Sequence, residues 1–155
     1  MTVPTLSLQG KVAIVTGGSR GIGRAIALGF AQAGADVVVC SRTLADLEKV
    51  AEEIRALGRR ALAVECNIAV KSDVDNLIQR TVSEFGTIDI LVNNAAMNIM
   101  RPLIELREDG WDRVMNVGLK GYFLCSQAAA KVMIEKKSGV IINMASGAAA
   151  KAAPA

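Results

Sequence analysis

Five short apolar runs, separated by longer segments of mixed polarity, set the pattern of the chain. Most of these runs are rich in valine and isoleucine, and most of their positions are apolar on both faces. Such runs are typical of parallel strands that helices cover on both sides. The runs are 11–16 (KVAIVT), 36–40 (DVVVC), 61–66 (ALAVEC), 88–92 (IDILV) and 139–144 (GVIINM).

The segments between the runs carry apolar residues at helical spacing. Within 44–57, for example, Leu47, Val50 and Ile54 recur every three or four residues, which is the spacing of one helix face. The same pattern predicts helices over 23–33, 44–57, 72–85 and 108–136.

Residues at the predicted helix ends support these assignments. Ser72 is a candidate N-cap, and a glycine follows each of the first three helices, where a left-handed C-cap favours a residue without a Cβ. These glycines are Gly34, Gly58 and Gly86. The last helix is predicted to carry one stripe formed by Trp111, Met115, Gly118 and Tyr122.

Strands and helices therefore alternate in the order β-α-β-α-β-α-β-α-β. This order is typical of an α/β fold with a doubly wound, Rossmann-type parallel sheet flanked by helices and joined by right-handed crossovers. The 155 residues suit a single domain, 1–155. Apolar residues make up 52% of the chain and aromatic residues 3%, so we expect an aliphatic core.

Composition excludes several classes of function. The net charge is +3, and without a block of Lys or Arg the chain is not predicted to bind nucleic acid. No apolar run is long enough for a membrane span or a secretion signal. The three cysteines lack CxxC spacing, and Cys40 and Cys66 end apolar runs, which indicates buried thiols in a reducing compartment and hence a cytoplasmic protein. Without histidine, neither a zinc site nor a Ser-His-Asp triad is expected.

The first strand leads directly into a glycine-rich turn, TGGSRGIG (16–23). Glycines let the chain turn tightly and let its backbone approach a pyrophosphate, while the N-terminus of the following helix attracts the phosphate charge. Gly17, Gly21 and Gly23 are placed to do this, and Gly23 would keep the helix close to the sheet. An ordinary tight turn is the alternative, and it is less consistent with the position after the first strand of an alternating α/β chain.

The end of the second strand distinguishes the two nicotinamide cofactors in such folds. An acidic residue there favours NAD(H), whereas a basic one accommodates the 2′-phosphate of NADP(H). Here the strand ends in Ser41 and Arg42, and Arg20 lies within the glycine turn. We therefore expect NADP(H) rather than NAD(H), with Arg20 and Arg42 on the 2′-phosphate; the alternative is that Arg42 is a solvated loop residue.

Four motifs, in order, resemble those of the short-chain dehydrogenase/reductase family over nearly the whole chain. They are TGGSRGIG (16–23), NNAA (93–96), MNVGLKG (115–121) and INMAS (142–146). The resemblance implies hydride transfer between NADP(H) and a small-molecule carbonyl or alcohol, catalysed by a homo-oligomer. Its implied catalytic residues are Ser146, on the substrate carbonyl, and Asn116, on a water in a proton relay.

The same resemblance implies the cofactor contacts and no metal. Gly17, Ser19, Gly21, Ile22 and Gly23 would line the pyrophosphate. Asn67, where the family usually has Asp, and Ile68 would hold the adenine. Asn93, Asn94 and Ala95 would support the fourth strand and the nicotinamide ribose.

The family's Tyr-x-x-x-Lys pair is missing from this sequence. Its only tyrosine, Tyr122, precedes Ser146 and has Ser126 four residues later, and only nine residues (155 − 146) follow Ser146. We therefore expect a C-terminally truncated fold that is inactive alone, with the fifth strand as an open edge and an exposed apolar stripe on the last helix.

Two other hypotheses about function remain. The chain could be a non-catalytic nucleotide-binding module or an interaction module. Met97, Asn98, Ile99 and Met100 indicate only a partly apolar mouth of the site. Oxoacyl thioesters, sugar acids, steroids and simple ketones all remain possible substrates.

Overall fold

The computed structural model describes residues 7–147 and forms one sheet of five parallel strands with helices on both faces. The first three strand–helix units are β1 (Val12–Thr16), α1 (Gly21–Gln32), β2 (Asp36–Ser41), α2 (Leu44–Ala56), β3 (Ala61–Glu65) and α3 (Lys71–Phe85). The remaining elements are β4 (Ile90–Asn93), α4 (Glu108–Met115), α5 (Gly121–Glu135) and β5 (Val140–Asn143). A short 3₁₀ turn, Leu103–Glu105, precedes α4, and a π-helical turn, Asn116–Lys120, joins α4 to α5. The predicted doubly wound α/β fold is confirmed.

The strand order places a crevice at the carboxyl end of the sheet. The order is β3-β2-β1-β4-β5, so the chain moves outward from β1 to β3 and then returns to the other side of β1 as β4. Ligands of open α/β sheets bind at the carboxyl ends of the strands beside such a reversal. In this chain the crevice lies between the ends of β1 and β4.

The core has two aliphatic layers, one on each face of the sheet. On one face α1 and α2 bury Ala27, Leu47 and Ile54 against β1 and β2. On the other, α3 and α5 bury Leu77 and Leu124 against the same strands and β4. This packing on both faces explains why the strands are apolar throughout. It also holds the strands in place, so that their carboxyl ends lie together beside the crevice.

Two details of the helices differ from the sequence prediction. The expected helix 108–136 is interrupted by the π-helical turn, and α5 restarts at Gly121, where a Cβ would come within 2.7 Å of Ile68 Cδ1. Ser72 is not the N-cap of α3, because that helix begins at Lys71.

One side of the described structure is open. β5 is the edge strand, and Val140 and Ile142 are exposed along it. Phe123 and Ile134 are exposed on the adjacent α5. Among the described residues the open edge at β5 agrees with the sequence prediction, whereas Phe123 and Ile134 are not members of the predicted stripe. Within residues 7–147, no helix is both long and apolar enough to cross a membrane.

Candidate nucleotide-binding site

The glycine turn between β1 and α1 is held tightly against the neighbouring strands. Gly17 and Gly21 have positive φ angles of 66° and 55°, which residues with a side chain rarely adopt. The backbone N–H groups of Gly17 and Gly18 both donate to the Cys40 carbonyl, at 2.8 and 3.2 Å. A Cβ on Gly18, which sequence analysis did not single out, would approach Val39 Cβ to 2.9 Å.

Gly23 brings the first turn of α1 against this loop. A Cβ there would overlap the Gly17 carbonyl and would lie 2.6 Å from Asn94 Nδ2. The helix begins at Gly21 after an extended Arg20, with no side-chain cap and no acidic residue in its first turn. Its N-terminal amides and positive dipole end are therefore not compensated by its own side chains, which favours an anion at this position.

The turn opens into a cleft of about 490 Å³. Twelve of the predicted cofactor residues line it: Gly17, Ser19, Arg20, Gly21, Ile22, Gly23, Ser41, Arg42, Asn67, Ile68, Asn94 and Ala95. These residues were assigned from the glycine turn, from the end of the second strand and from the family resemblance, and the structure brings them together around one cleft. The cleft does not include the predicted residues Asn93, Asn116 and Ser146.

Two arginines, one in the glycine turn and one after β2, line the cleft. Arg20 and Arg42 are both exposed, and neither guanidinium group makes a hydrogen bond or ion pair with another described residue. The Ser41 hydroxyl accepts a 3.4 Å hydrogen bond from the Thr43 N–H, which leaves its own O–H available to donate. Asp46, in the first turn of α2, also lines the cleft and pairs with Lys49 at 3.1 Å. The sequence analysis, which considered the residues at the end of the second strand, did not predict Asp46.

Beyond β3, Asn67 and Ile68 form another wall of the cleft. The Asn67 Oδ1 accepts from the Ala69 N–H at 3.2 Å, and the Asn67 N–H donates to the Asp73 carboxylate at 3.0 Å. A carbonyl oxygen has two lone pairs, so Oδ1 retains one acceptor position of the kind expected for the adenine amino group. Ile68 is buried and supplies an apolar surface.

Cysteine thiols, which sequence reasoning expected only as buried groups, also line this part of the cleft. Cys40 and Cys66 are both buried and both among its lining residues. A hydrogen bond donated by the Cys40 thiol to Cys66, together with burial, raises the pKa of Cys40 well above its usual value. Burial likewise raises the pKa of the neighbouring Cys125 thiol to about 12. Since the thiolate is the nucleophile, these cysteines act here as packing residues.

Asn93 points into the protein and not into the cleft. It is fully buried, and its Nδ2 donates to Ser126 Oγ at 2.9 Å and to Asn143 Oδ1 at 2.8 Å. Its neighbour Asn94 faces the glycine turn, donating through Nδ2 to the Thr16 carbonyl at 2.9 Å. Adjacent residues of a strand end point to opposite faces, which is why only one of the two lines the cleft.

The two residues expected to act on the substrate lie beside the cleft. Asn116 is exposed at the start of the π-helical turn, and the next residue, Val117, does line the cleft. Ser146 is exposed and follows the end of β5. π-Helical turns are frequent at functional sites, and this one sets the position of Asn116.

Tyr122, the tyrosine of the chain, does not line the cleft. It is partly buried on α5, and burial raises the pKa of its hydroxyl, whereas proton exchange near neutral pH requires a lowered value. Within the described residues, no three His, Cys, Asp or Glu side chains cluster in a way that could hold a metal ion.

Comparison with known proteins shows the family to which this chain belongs. Residues 11–155 match the family described as short chain dehydrogenase. The chain belongs to this family. Its relatives include 3-oxoacyl-[acyl-carrier-protein] reductase from Synechocystis, 45% identical over 90% of this chain and 57% of that protein.

Other short-chain dehydrogenases agree with this assignment. The (2S)-[(R)-hydroxy(phenyl)methyl]succinyl-CoA dehydrogenase subunit BbsD from Thauera aromatica is 42% identical over 92% of this chain and 58% of that protein. A solved short-chain type dehydrogenase/reductase from Mycobacterium marinum superposes with a TM-score of 0.93 at 35% identity, over 97% of this chain and 62% of the other. The chain therefore spans about 58% of the length of the curated relatives it matches.

Proposed function

We propose that the chain binds NADP(H) in the 490 Å³ cleft, as the cofactor-binding part of a short-chain dehydrogenase acting on a small-molecule carbonyl or alcohol. The observation that carries this proposal is the first turn of α1, which has no cap and no acidic residue and is closely approached by the glycine turn. Its residues fit a pyrophosphate, because Gly17 and Gly23 let the turn, α1 and Asn94 pack without a Cβ between them, and Gly21 leaves open space beside the backbone. Ser19, Gly21 and Ile22 complete that wall.

The preference for NADP(H) over NAD(H) rests on charge at the end of β2. Arg20 and Arg42 present two guanidinium groups without carboxylate partners among the described residues, and Ser41 adds a hydroxyl donor. A phosphate dianion satisfies such donors, whereas a ribose hydroxyl does not need them. Asp46 lies in the same wall, where its carboxylate pairs with Lys49.

The remaining residues have roles that this binding mode suggests. The bound cofactor supplies or accepts the hydride. Asn67 and Ile68 would hold the adenine, and Asn94 and Ala95 would hold the nicotinamide ribose side. Ser146 would donate a hydrogen bond to the substrate oxygen, and Asn116 would hold a water molecule that relays protons.

Residues 1–155 alone are proposed to bind the cofactor without turnover, because no tyrosine with a nearby lysine is present to supply the proton. The complete enzyme is proposed to be a homo-oligomer, since the exposed apolar side chains of α5 suit a further packing surface. Three free, buried cysteines favour a reducing compartment, and we propose the cytoplasm.

Titration of the chain with NADPH and NADH tests the proposal. We expect the fluorescence of NADPH to change on binding and the Tm of the chain to rise. NADPH should bind at least about tenfold more tightly than NADH, which corresponds to ~1.4 kcal/mol. Equal affinity for the two would remove the 2′-phosphate role. A folded chain that shows no response to either dinucleotide would favour the alternative, an interaction module that uses its exposed α5 and β5 surface.

A further inference from the structure

The buried amide of Asn93 connects three elements at the nicotinamide side of the sheet. Asn93 is the last residue of β4 and has no exposed surface. Its Nδ2 donates one hydrogen bond to Ser126 on α5 and another to Asn143, the last residue of β5. Both hydrogens of the amide nitrogen are therefore used, and the side chain is fixed from two directions.

Asn93 and Asn143 are also paired through the backbone. They are register partners in the parallel ladder of β4 and β5, and the Met144 N–H donates to the Asn93 carbonyl at 2.9 Å. The side-chain bond of 2.8 Å between Asn93 Nδ2 and Asn143 Oδ1 lies at the same level of the sheet. The end of β5 is thus held both by a backbone bond and by a side-chain bond.

This attachment matters because β5 is otherwise weakly held. It is an edge strand, only four residues long, and its side chains are largely exposed. Packing therefore contributes little to fixing its carboxyl end, where hydrogen bonds join Asn143 and Met144 to Asn93. Ser146 follows Asn143 by three residues.

We propose that Asn143 is a positioning residue for Ser146, acting through its hydrogen bond to the buried Asn93 amide. The proposal rests on the proposed function for the role of Ser146 in holding substrate. Ser126 supports it from α5 by fixing the other hydrogen of the same amide nitrogen. Asn143 is not among the residues that line the cleft, so the effect proposed for it is on orientation.

Two variants of nearly equal size separate positioning from general stability. Asn143→Asp keeps an oxygen that can accept from Asn93 Nδ2, whereas Asn143→Leu does not. Backbone ¹⁵N relaxation of the chain should show the Ser146 amide ordered in the parent and in the Asp variant. In Asn143→Leu its order parameter should fall below about 0.6, a value typical of flexible backbone, while the amides of Leu91 and Ile141 stay unchanged.

An unchanged Ser146 order parameter in Asn143→Leu would overturn the proposal, and so would an equal loss in Asn143→Asp. Loss of order along all of β5 in the leucine variant would also overturn it, because Asn143 would then hold the strand in general. The affinity for NADPH is measured on the same samples and should agree within about twofold among them. If the parent fails to bind NADPH, the proposed function fails, and the relaxation comparison still decides whether Asn143 orients Ser146.

Discussion

Thr16 and Asn94 bind the ends of β1 and β4 to each other through both backbone and side chain. Thr16 Oγ1 accepts from the Asn94 N–H at 2.9 Å and from the Ala95 N–H at 3.0 Å, and Asn94 Nδ2 donates to the Thr16 carbonyl at 2.9 Å. Thr16 is fully buried. The two strands that flank the crevice therefore meet at a fixed separation, directly beneath the glycine turn.

Thr16→Val should weaken both the fold and cofactor binding. Valine has the same shape but leaves the N–H groups of Asn94 and Ala95 without an acceptor, and unsatisfied buried donors cost about 1–3 kcal/mol. We expect the free energy of unfolding, measured with urea, to fall by about 2 kcal/mol and the affinity for NADPH to fall with it.

Thr81→Val is the matched control, because buried Thr81 makes only one described side-chain hydrogen bond, to Leu77 O within α3. Its effect on unfolding should be smaller, and its affinity for NADPH should equal that of the parent. If the two valine variants behave alike, the role assigned to Thr16 is wrong.

Gly23→Ala should abolish NADPH binding, because the added methyl group would meet the Gly17 carbonyl and Asn94 Nδ2. To accommodate it, α1 has to move away from the glycine turn. The control lies on the same helix: a Cβ at Gly29 would have no neighbour within 4 Å. Gly29→Ala should therefore keep full affinity and raise the free energy of unfolding by up to about 1 kcal/mol. Isothermal titration calorimetry with NADPH distinguishes them, and equal affinities would contradict the packing described.

The sequence predicted the cleft because its main determinants are local. The spacing of Gly17, Gly21 and Gly23 after an apolar strand already requires a tight turn and a close helix. The ends of parallel strands lie at the same edge of the sheet, so Arg42 could be assigned to the cleft from its position after the second strand, whereas Asn67 was assigned through the family resemblance.

Other features depend on tertiary packing and could not be predicted in this way. Which of Asn93 and Asn94 faces the cleft depends on the register and twist of β4 beside β1. The π-helical turn before Gly121 depends on how closely α5 approaches Ile68. Asp46 reaches the cleft from α2, which no motif at a strand end reveals.

Lowering the pH should test the ion pair that joins α5 to the start of β4. Asp89 accepts from Lys136 Nζ at 2.7 Å and from the Val12 N–H at 2.9 Å, with Lys11 Nζ at 3.7 Å. Burial raises the pKa of Asp89, but the hydrogen bonds and the charges of Lys136 and Lys11 outweigh it and lower the pKa below its usual value of 3.8.

Because the pKa of Asp89 is lower in the folded state, its ionised carboxylate stabilises the fold fully above about pH 4. This contribution to the free energy of unfolding is lost as the pH falls through the folded-state pKa of Asp89. Asp89→Asn should reduce the free energy of unfolding by about 2 kcal/mol at pH 7, and the difference from the parent should shrink below pH 4. Asp75→Asn removes an exposed ion pair with Lys71 and should change the free energy of unfolding by less than about 0.5 kcal/mol. A difference for Asp89→Asn that is constant with pH would refute the ionic role.

Residues 1–155 should show no reduction of a ketone by NADPH above background. The only tyrosine, Tyr122, has a raised pKa and is followed four residues later by Ser126 and not by lysine. The absorbance of NADPH at 340 nm, followed with a panel of ketones, measures this. Turnover that Ser146→Ala abolishes and Ser83→Ala preserves would show that another group donates the proton.

Reversing the charge at Arg42 should change the choice of cofactor. In Arg42→Asp a carboxylate faces the 2′-phosphate of NADPH but can accept a hydrogen bond from the 2′-hydroxyl of NADH. We expect the affinity for NADPH to fall by at least tenfold, and the affinity for NADH to stay equal or rise. Arg80→Asp makes the same change of net charge on the exposed surface of α3, outside this cleft, and should leave the ratio of the two affinities unaltered. If Arg42→Asp weakens NADPH and NADH equally, Arg42 does not bind the 2′-phosphate, and the preference must come from Arg20 or be absent.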